Sequence, residues 1–368
     1  MKKFLLIYFL FCICVTIAIF WPFSHTIHHS LPNAVDPVFY AWNLSHNTQS
    51  VLHGFKNLLD TNIFYPEGNT LAFSDTLYAQ TLLTAPIIVL TKNPVLAENL
   101  YILATFPLAA IALFFLAYYL TNNMIASAIA GICYAFCYPR LAQIGHMPAV
   151  SSQWLPLFFL FLIKYIREGT FKNLLLLFTW YTLSIASSIY FGVFLLPMAL
   201  VTVITESIGL SRTILLNRIK PILILTIPAA LILIVLLFPY IRLKAEYPTL
   251  GRPLEDTVNY SATLADYESV LPTSWLGDLG FPVTTNERPL YPTITVLILA
   301  MVSLWFTAKN NRKTVISFLS ISAIAFFLSF GPYWDTTKIR MPYYFICITY
   351  LGCCNLSGSL HASVYLLY

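Results

Sequence analysis

Two aspartates and two basic side chains are the residues of this chain best placed to do chemistry. Asp36 opens the stretch Asp-Pro-Val-Phe-Tyr-Ala-Trp, a short way after the first apolar run, with Phe39, Tyr40 and Trp42 beside it. A carboxylate partly desolvated by such aromatics suits general-base work. Asp before Pro is also a sound way to begin a helix, with aspartate as the N-cap and proline at the first helical position; the two roles are compatible. Asp75, in Ser-Asp-Thr, is a second carboxylate open to both readings. Arg140 and His146 fall between two later apolar runs. A guanidinium there offers a planar fork to a phosphate, or reaches to lipid headgroups. Trp42 and Tyr260 supply aromatic faces that stack on a substrate ring or belong to an interfacial belt. Asp36 and Asp75 are thus the catalytic candidates, and Arg140, His146, Trp42 and Tyr260 the substrate-binding ones.

A metal centre is the weaker reading. Five of the seven histidines (His25, His28, His29, His46 and His53) lie in the 54 residues from Pro22 to Asp75, together with four of the fifteen acidic residues. No tight His-x-x-x-His pair exists, and adjacent His28 and His29 do not easily point one way. We therefore expect no metal site and no cofactor, a divalent ion being the only one worth testing. Asp60, before Thr-Asn, and Glu67, before Gly, read as turn residues. Cys133 and Cys137 share a helix face, but two thiols are too few ligands for a structural metal.

The elements that must position these residues are membrane helices. The chain is 58% hydrophobic and 10% charged with mean hydropathy +0.75, against roughly 25% charged for soluble domains. No soluble fold of 368 residues buries that much apolar surface, so lipid is the solvent. The net charge of +5 has no basic cluster interleaved with aromatics, which argues against nucleic acid as a partner. Lys2 and Lys3 precede an apolar run from Phe4 to Trp21 with no small-x-small cleavage site after it. It reads as an uncleaved first spanning helix with a cytoplasmic N-terminus. The run Thr76–Leu90 has 15 residues and contains Pro86, whereas spanning takes about 20. If it lies flat, eleven basic residues from Lys2 to Lys313 face the cytoplasm with only Glu168 and Glu206, and thirteen of the fifteen acidic residues face outward. The positive-inside rule prefers that arrangement. The expected fold is an all-α polytopic membrane protein with about nine transmembrane helices. Its long first outer loop, 22–94, forms interfacial helices, one of them running through Val51, Phe55 and Leu59. A second outer loop covers 241–290.

The order of these motifs resembles the GT-C superfamily of integral-membrane glycosyltransferases, which includes protein O-mannosyltransferases and the aminoarabinose transferase of lipid A. Asp36-Pro37-Val38-Phe39-Tyr40-Ala41-Trp42-Asn43 stands where that family carries an acidic motif. Ser74-Asp75-Thr76-Leu77-Tyr78 stands at the start of its second interfacial helix, and Asn93-Pro94-Val95-Leu96-Ala97-Glu98-Asn99-Leu100 before its second spanning helix. FYPEGNTLAFSD, CYPRLAQIGHMPAVSSQWLPL and YPTITVLILA look like a bacterial, uncharacterised subgroup. The resemblance covers roughly residues 1–340. It implies transfer of a sugar from a lipid-linked, polyprenyl-phosphate donor to an envelope acceptor on the outer face of a bacterial inner membrane. Asp36 would then be the base, and Arg140 would hold the phosphate. Membrane lipids are the other expected partners.

The end of the chain departs from that pattern. After Pro342-Tyr343-Tyr344 it runs FICITYLGCCNLSGSLHASVYLLY, where related sequences continue into further helices. Residues 341–368 read as an atypical tail, as from a frameshift or premature stop, which puts activity in doubt. The alternative function is a non-catalytic polytopic membrane protein: a transporter, a flippase-like protein, or a degenerate fragment of the enzyme.

Overall fold

The computed structural model describes residues 1–33, 35–247, 254–285, 287–307, 312–334 and 339–344. Its helices, in chain order, are α1 (Lys2–Ile19), α2 (Asp36–Leu52), α3 (Tyr78–Thr91), α4 (Pro94–Thr121), α5 (Met124–Ala135), α6 (Tyr138–Ala142), α7 (Met147–Val150), α8 (Leu155–Glu168), α9 (Phe171–Ser187), α10 (Ile189–Ser207), α11 (Arg212–Glu246), α12 (Leu254–Tyr260), α13 (Ile294–Thr307) and α14 (Arg312–Ser329). Among the described residues there is no strand beyond two isolated bridges, Val270–Val283 and Tyr333–Arg340. The protein is an all-α polytopic membrane protein.

Six helical stretches are long and apolar enough to cross a membrane, and a seventh is added if α11, bent by 52°, counts as one span. The expectation was about nine. The difference lies in α9, with 17 residues, and α13, with 14 among the described residues, both below the roughly 20 that a span usually takes. α3 also has 14 residues, in keeping with a helix that does not cross.

Asparagines punctuate the bundle. The Asn93 side chain accepts the Leu96 N–H to cap α4, with Pro94 at its first turn. Asn122, at φ 53°, ends α4, and the next residue, Asn123, caps α5 by accepting the Ala126 N–H. Thr170 and Ser211 do the same for α9 and α11. Gly131 of α5 lies so close to α4 that a Cβ there would sit 2.4 Å from the Ala110 carbonyl oxygen. Small residues at a helix contact are how membrane helices come together without a hydrophobic drive.

Three apolar clusters fill the interior. The central one joins α8, α10 and α14 through Phe158, Ile163, Phe191, Leu195 and Ala325. A second, toward the loop-bearing end, packs Tyr40 and Leu44 of α2 against Leu77, Tyr101, Phe106 and Met147. The third holds α1 against α4 through Tyr8, Cys12 and Phe114. At the other end of the bundle, Arg167 makes a two-pronged ion pair with buried Glu206, at 2.9 and 3.1 Å, and donates to Thr314 Oγ1. Buried charge there is paired and hydrogen-bonded, as burial demands.

The first loop is fixed by α4. Asn93 Nδ2 donates to the His28 carbonyl, and Asn99 Nδ2 donates to those of Ile27 and Ser30. The interfacial helix expected through Leu59 ends instead at Leu52, because Gly54, Phe55 and Asn57 adopt positive φ and turn the chain. Asp60 serves the turn as expected: its Oδ1 accepts the Asn69 N–H at 2.7 Å. Of the atypical tail, Met341–Tyr344 is described, with the Met341 N–H donating to the Pro332 carbonyl and Tyr343 buried. Residues 345–368, on which the frameshift expectation rests, lie outside the described residues.

Candidate functional site

His146 is the junction of three segments. It sits between α6 and α7, and its imidazole is mostly buried. Its Nε2 lies 2.9 Å from Asp36 Oδ2 and 3.4 Å from Glu287 Oε1, with Asp36 and Glu287 side chains 44% and 52% exposed. Asp36 comes from the first loop and Glu287 from the segment after α12. Burial alone would push the imidazole down. The hydrogen bond to Asp36 and the charges of Glu287 and Asp36 outweigh it, and His146 titrates above the ordinary histidine range. Nδ1 of the same ring is buried and has no hydrogen-bond partner among the described residues.

Asp36 is not a cap. It is the first residue of α2, the N-cap is Val35, and no side chain caps the helix. In the first turn its charge still complements the helix dipole, while the carboxylate itself is turned to His146. The Gln143 side chain secures the other partner, donating from Nε2 to the Glu287 main-chain carbonyl at 3.1 Å.

Asp75 occupies an extended stretch three residues before α3, so it caps nothing; the N-cap there is Leu77. The Tyr240 hydroxyl accepts the Thr76 N–H and donates to the Ser74 carbonyl, tying this stretch to α11. Asn43 of α2 donates to the Asp75 carbonyl oxygen from the opposite side. The residue keeps some exposed surface, yet its carboxyl is enclosed. Burial pushes it up to about 7, against the lowering effect of a hydrogen bond with Ser188.

Tyr40 responds to both aspartates. Its phenol is buried, and burial followed by the charges of Asp36, Asp75, Glu98 and Glu287 drives its titration well above the usual tyrosine value. Carboxyl groups from four parts of the chain therefore act on one phenol through their charge. Glu98, on α4, is fully buried, and neither carboxyl oxygen has a partner among the described residues.

Arg140 takes a different place from the one expected. It is 1% exposed, and every N–H of its guanidinium is engaged. Nε donates to the Ala135 carbonyl, Nη1 to the Val150 carbonyl and Ser152 Oγ, and Nη2 to the carbonyl and hydroxyl of Thr105. Phe106 and Tyr134 lie against its faces at 5.1 and 5.8 Å. The guanidinium ties α4 to the α5–α8 connection and leaves no donor for a phosphate. Trp42 is half-buried on α2, stacked at 5.7 Å on His46 and tilted against Phe39. Tyr260 is 48% exposed at the end of α12; the residue its segment sends to His146 is Glu287.

A layer of uncharged polar groups lies against this site. Gln80 donates to Ser151 Oγ and the Ser187 carbonyl, Ser151 bonds with the Tyr101 hydroxyl at 2.8 Å, and Trp154 donates to Ser187 Oγ. Among the described residues no group of three or more His, Cys, Asp and Glu is arranged to hold a metal ion.

The fold and site define a polytopic helical membrane protein with an acid–base centre joining three connecting segments at one end. Comparisons with protein families, curated proteins and solved structures find no match for this chain.

Proposed function

We propose that this chain is a GT-C-like glycosyltransferase that moves a sugar from a polyprenyl-phosphate donor to an acceptor hydroxyl on the outer face of a bacterial cell membrane. The observation that carries this reading is the contact of Asp36 with His146, backed by Glu287 on the same nitrogen. In the proposed reaction the acceptor O–H gives its proton to Asp36, and its oxygen bonds to the anomeric carbon. The bond from that carbon to the phosphate oxygen breaks, and its electron pair leaves on the phosphate. Configuration inverts. His146 orients the carboxylate and, when protonated, brings a positive charge to a site otherwise rich in carboxyl groups. With Arg140 fully engaged, His146 Nδ1–H is the donor proposed for the leaving phosphate.

The test is transfer of radiolabelled sugar from a polyprenyl-phosphate donor by membranes containing the full chain. Asp36→Asn is expected to abolish transfer and His146→Gln to slow it about 10²-fold. Undiminished transfer in Asp36→Asn would rule out the base role.

A transporter is the second reading, and Glu98 favours it. A buried, unpartnered carboxyl on a spanning helix is what proton pathways use. Proton uptake by proteoliposomes that is lost in Glu98→Gln, with no sugar transfer by the parent chain, would select it.

A further inference from the structure

An apolar cleft opens between α2, α3 and the second half of α11, with a volume of about 1010 Å³. That is at the upper end of the roughly 300–1,000 Å³ typical of small-molecule sites. Val51, Phe55, Leu82, Val89, Ile234 and Phe238 stand on its wall, and no lining residue is charged. Leu82, Val235 and Phe238 are more than half exposed, so the cleft borders the surface that lipid covers.

One polar side chain sets its chemistry. Asn47 lines the cleft and is fully buried. Its Nδ2 donates to Asn43 Oδ1, the Thr76 carbonyl and Thr81 Oγ1, which fixes the amide orientation. Its Oδ1 has no partner among the described residues. The hydroxyls of Thr48 and Thr81, also on the wall, donate to the Leu44 and Leu77 carbonyls, and the Tyr78 hydroxyl is bonded to Thr76. The buried polar end thus offers an unfilled acceptor, while its threonine donors are spent. A phosphate, which only accepts and carries charge, meets no complement there. A hydroxyl does.

We infer that this cleft binds a long-chain lipid alcohol, the chain lying along the α3–α11 wall and the hydroxyl donating to Asn47 Oδ1. An unfilled buried acceptor is costly, and the alcohol removes that cost. The cleft is lined by neither Asp36 nor His146, and the inference does not depend on the sugar-transfer reading.

The experiment uses the full chain in nanodiscs with a diazirine-bearing hexadecanol, the crosslinks being mapped by mass spectrometry. Labelling is expected on the cleft wall, with hexadecanol competing about tenfold better than hexadecyl phosphate or hexadecane, the factor one hydrogen bond to a buried acceptor supplies. Ala85→Trp, which fills the cleft without touching Asn47, is expected to abolish wall labelling in protein that remains monodisperse. Equal competition by the alkane would show a groove packed by any lipid chain and overturn the inference. Stronger competition by the phosphate, or wall labelling that persists in Ala85→Trp, would overturn it as well.

Discussion

His146 Nε2 stands 2.9 Å from Asp36 Oδ2, and that contact ties the first loop to the α6–α7 connection. Glu287 approaches the same nitrogen at 3.4 Å and brings in a third segment. The clasp is therefore protonation-dependent. The folded-state pKa of His146 is raised above an unfolded value of about 6.5. Its stabilising contribution is fully present below about pH 6.5 and disappears as pH rises through the higher folded-state value. Both carboxylates are half-exposed, so the contribution stays below about 1 kcal/mol. Thermal midpoints of the parent and His146→Gln should differ most at pH 6 and converge at high pH. A gap that widens with pH would contradict the clasp.

Asp75 titrates in the opposite sense from a salt-bridged carboxylate. Burial raises it to about 7, above an unfolded value of about 3.9. The folded state then holds its proton more tightly than the unfolded chain. The stability this provides is present below the unfolded pKa and declines as pH rises toward 7. Asp75→Asn keeps the shape without the charge, so its stability should stay flatter than the parent's between pH 4 and 7. Denaturant midpoints measured across that window check this, and parallel curves would place the carboxyl in a more polar setting.

Arg140 should behave as a structural tie. Arg140→Met leaves the Ala135 and Val150 carbonyls without the donors they now have, each orphaned group costing about 1–3 kcal/mol. Loss of about 3 kcal/mol or more is expected, read as aggregation or a lowered midpoint in detergent. Arg140→Lys keeps the charge but not the fork, and should recover only part of the loss. A variant that folds with unchanged stability but needs far more donor substrate would restore the phosphate-binding role.

The helical membrane class was legible because it depends on composition and on the length of apolar runs, both local quantities. Asp36 and His146 were legible as polar groups in loops of an otherwise apolar chain, though not as partners, since 110 residues separate them and nothing local pairs them. Glu287 was missed for the same reason. Its nearest signal was an acid in the polar stretch before Pro289. Arg140 misled because an arginine between apolar runs looks the same whether it reaches a ligand or turns inward to carbonyls. Glu98 stands near the start of α4, and only packing by neighbouring segments reveals its burial. The end of α2 was misjudged because apolar spacing through Leu59 outlasts the helix, which Gly54, Phe55 and Asn57 break by adopting positive φ.

The topology that puts the Asp36–His146 centre outside rests on charge. Lys164, Arg167, Lys172, Arg212, Arg218 and Lys313 gather at the end of the bundle opposite His146, and the proposed orientation puts that end in the cytoplasm by the positive-inside rule. Two exposed positions report on the two ends. Val35, 75% exposed, lies beside Asp36, and Thr121 ends α4 at the turn leading into α5. The chain has seven cysteines of its own, so each variant is made with all seven replaced by serine. In intact cells Val35→Cys should react with a membrane-impermeant maleimide at once, whereas Thr121→Cys should react only after permeabilisation. The reverse pattern would turn the molecule over, put the acid–base centre in the cytoplasm, and remove an envelope acceptor from consideration.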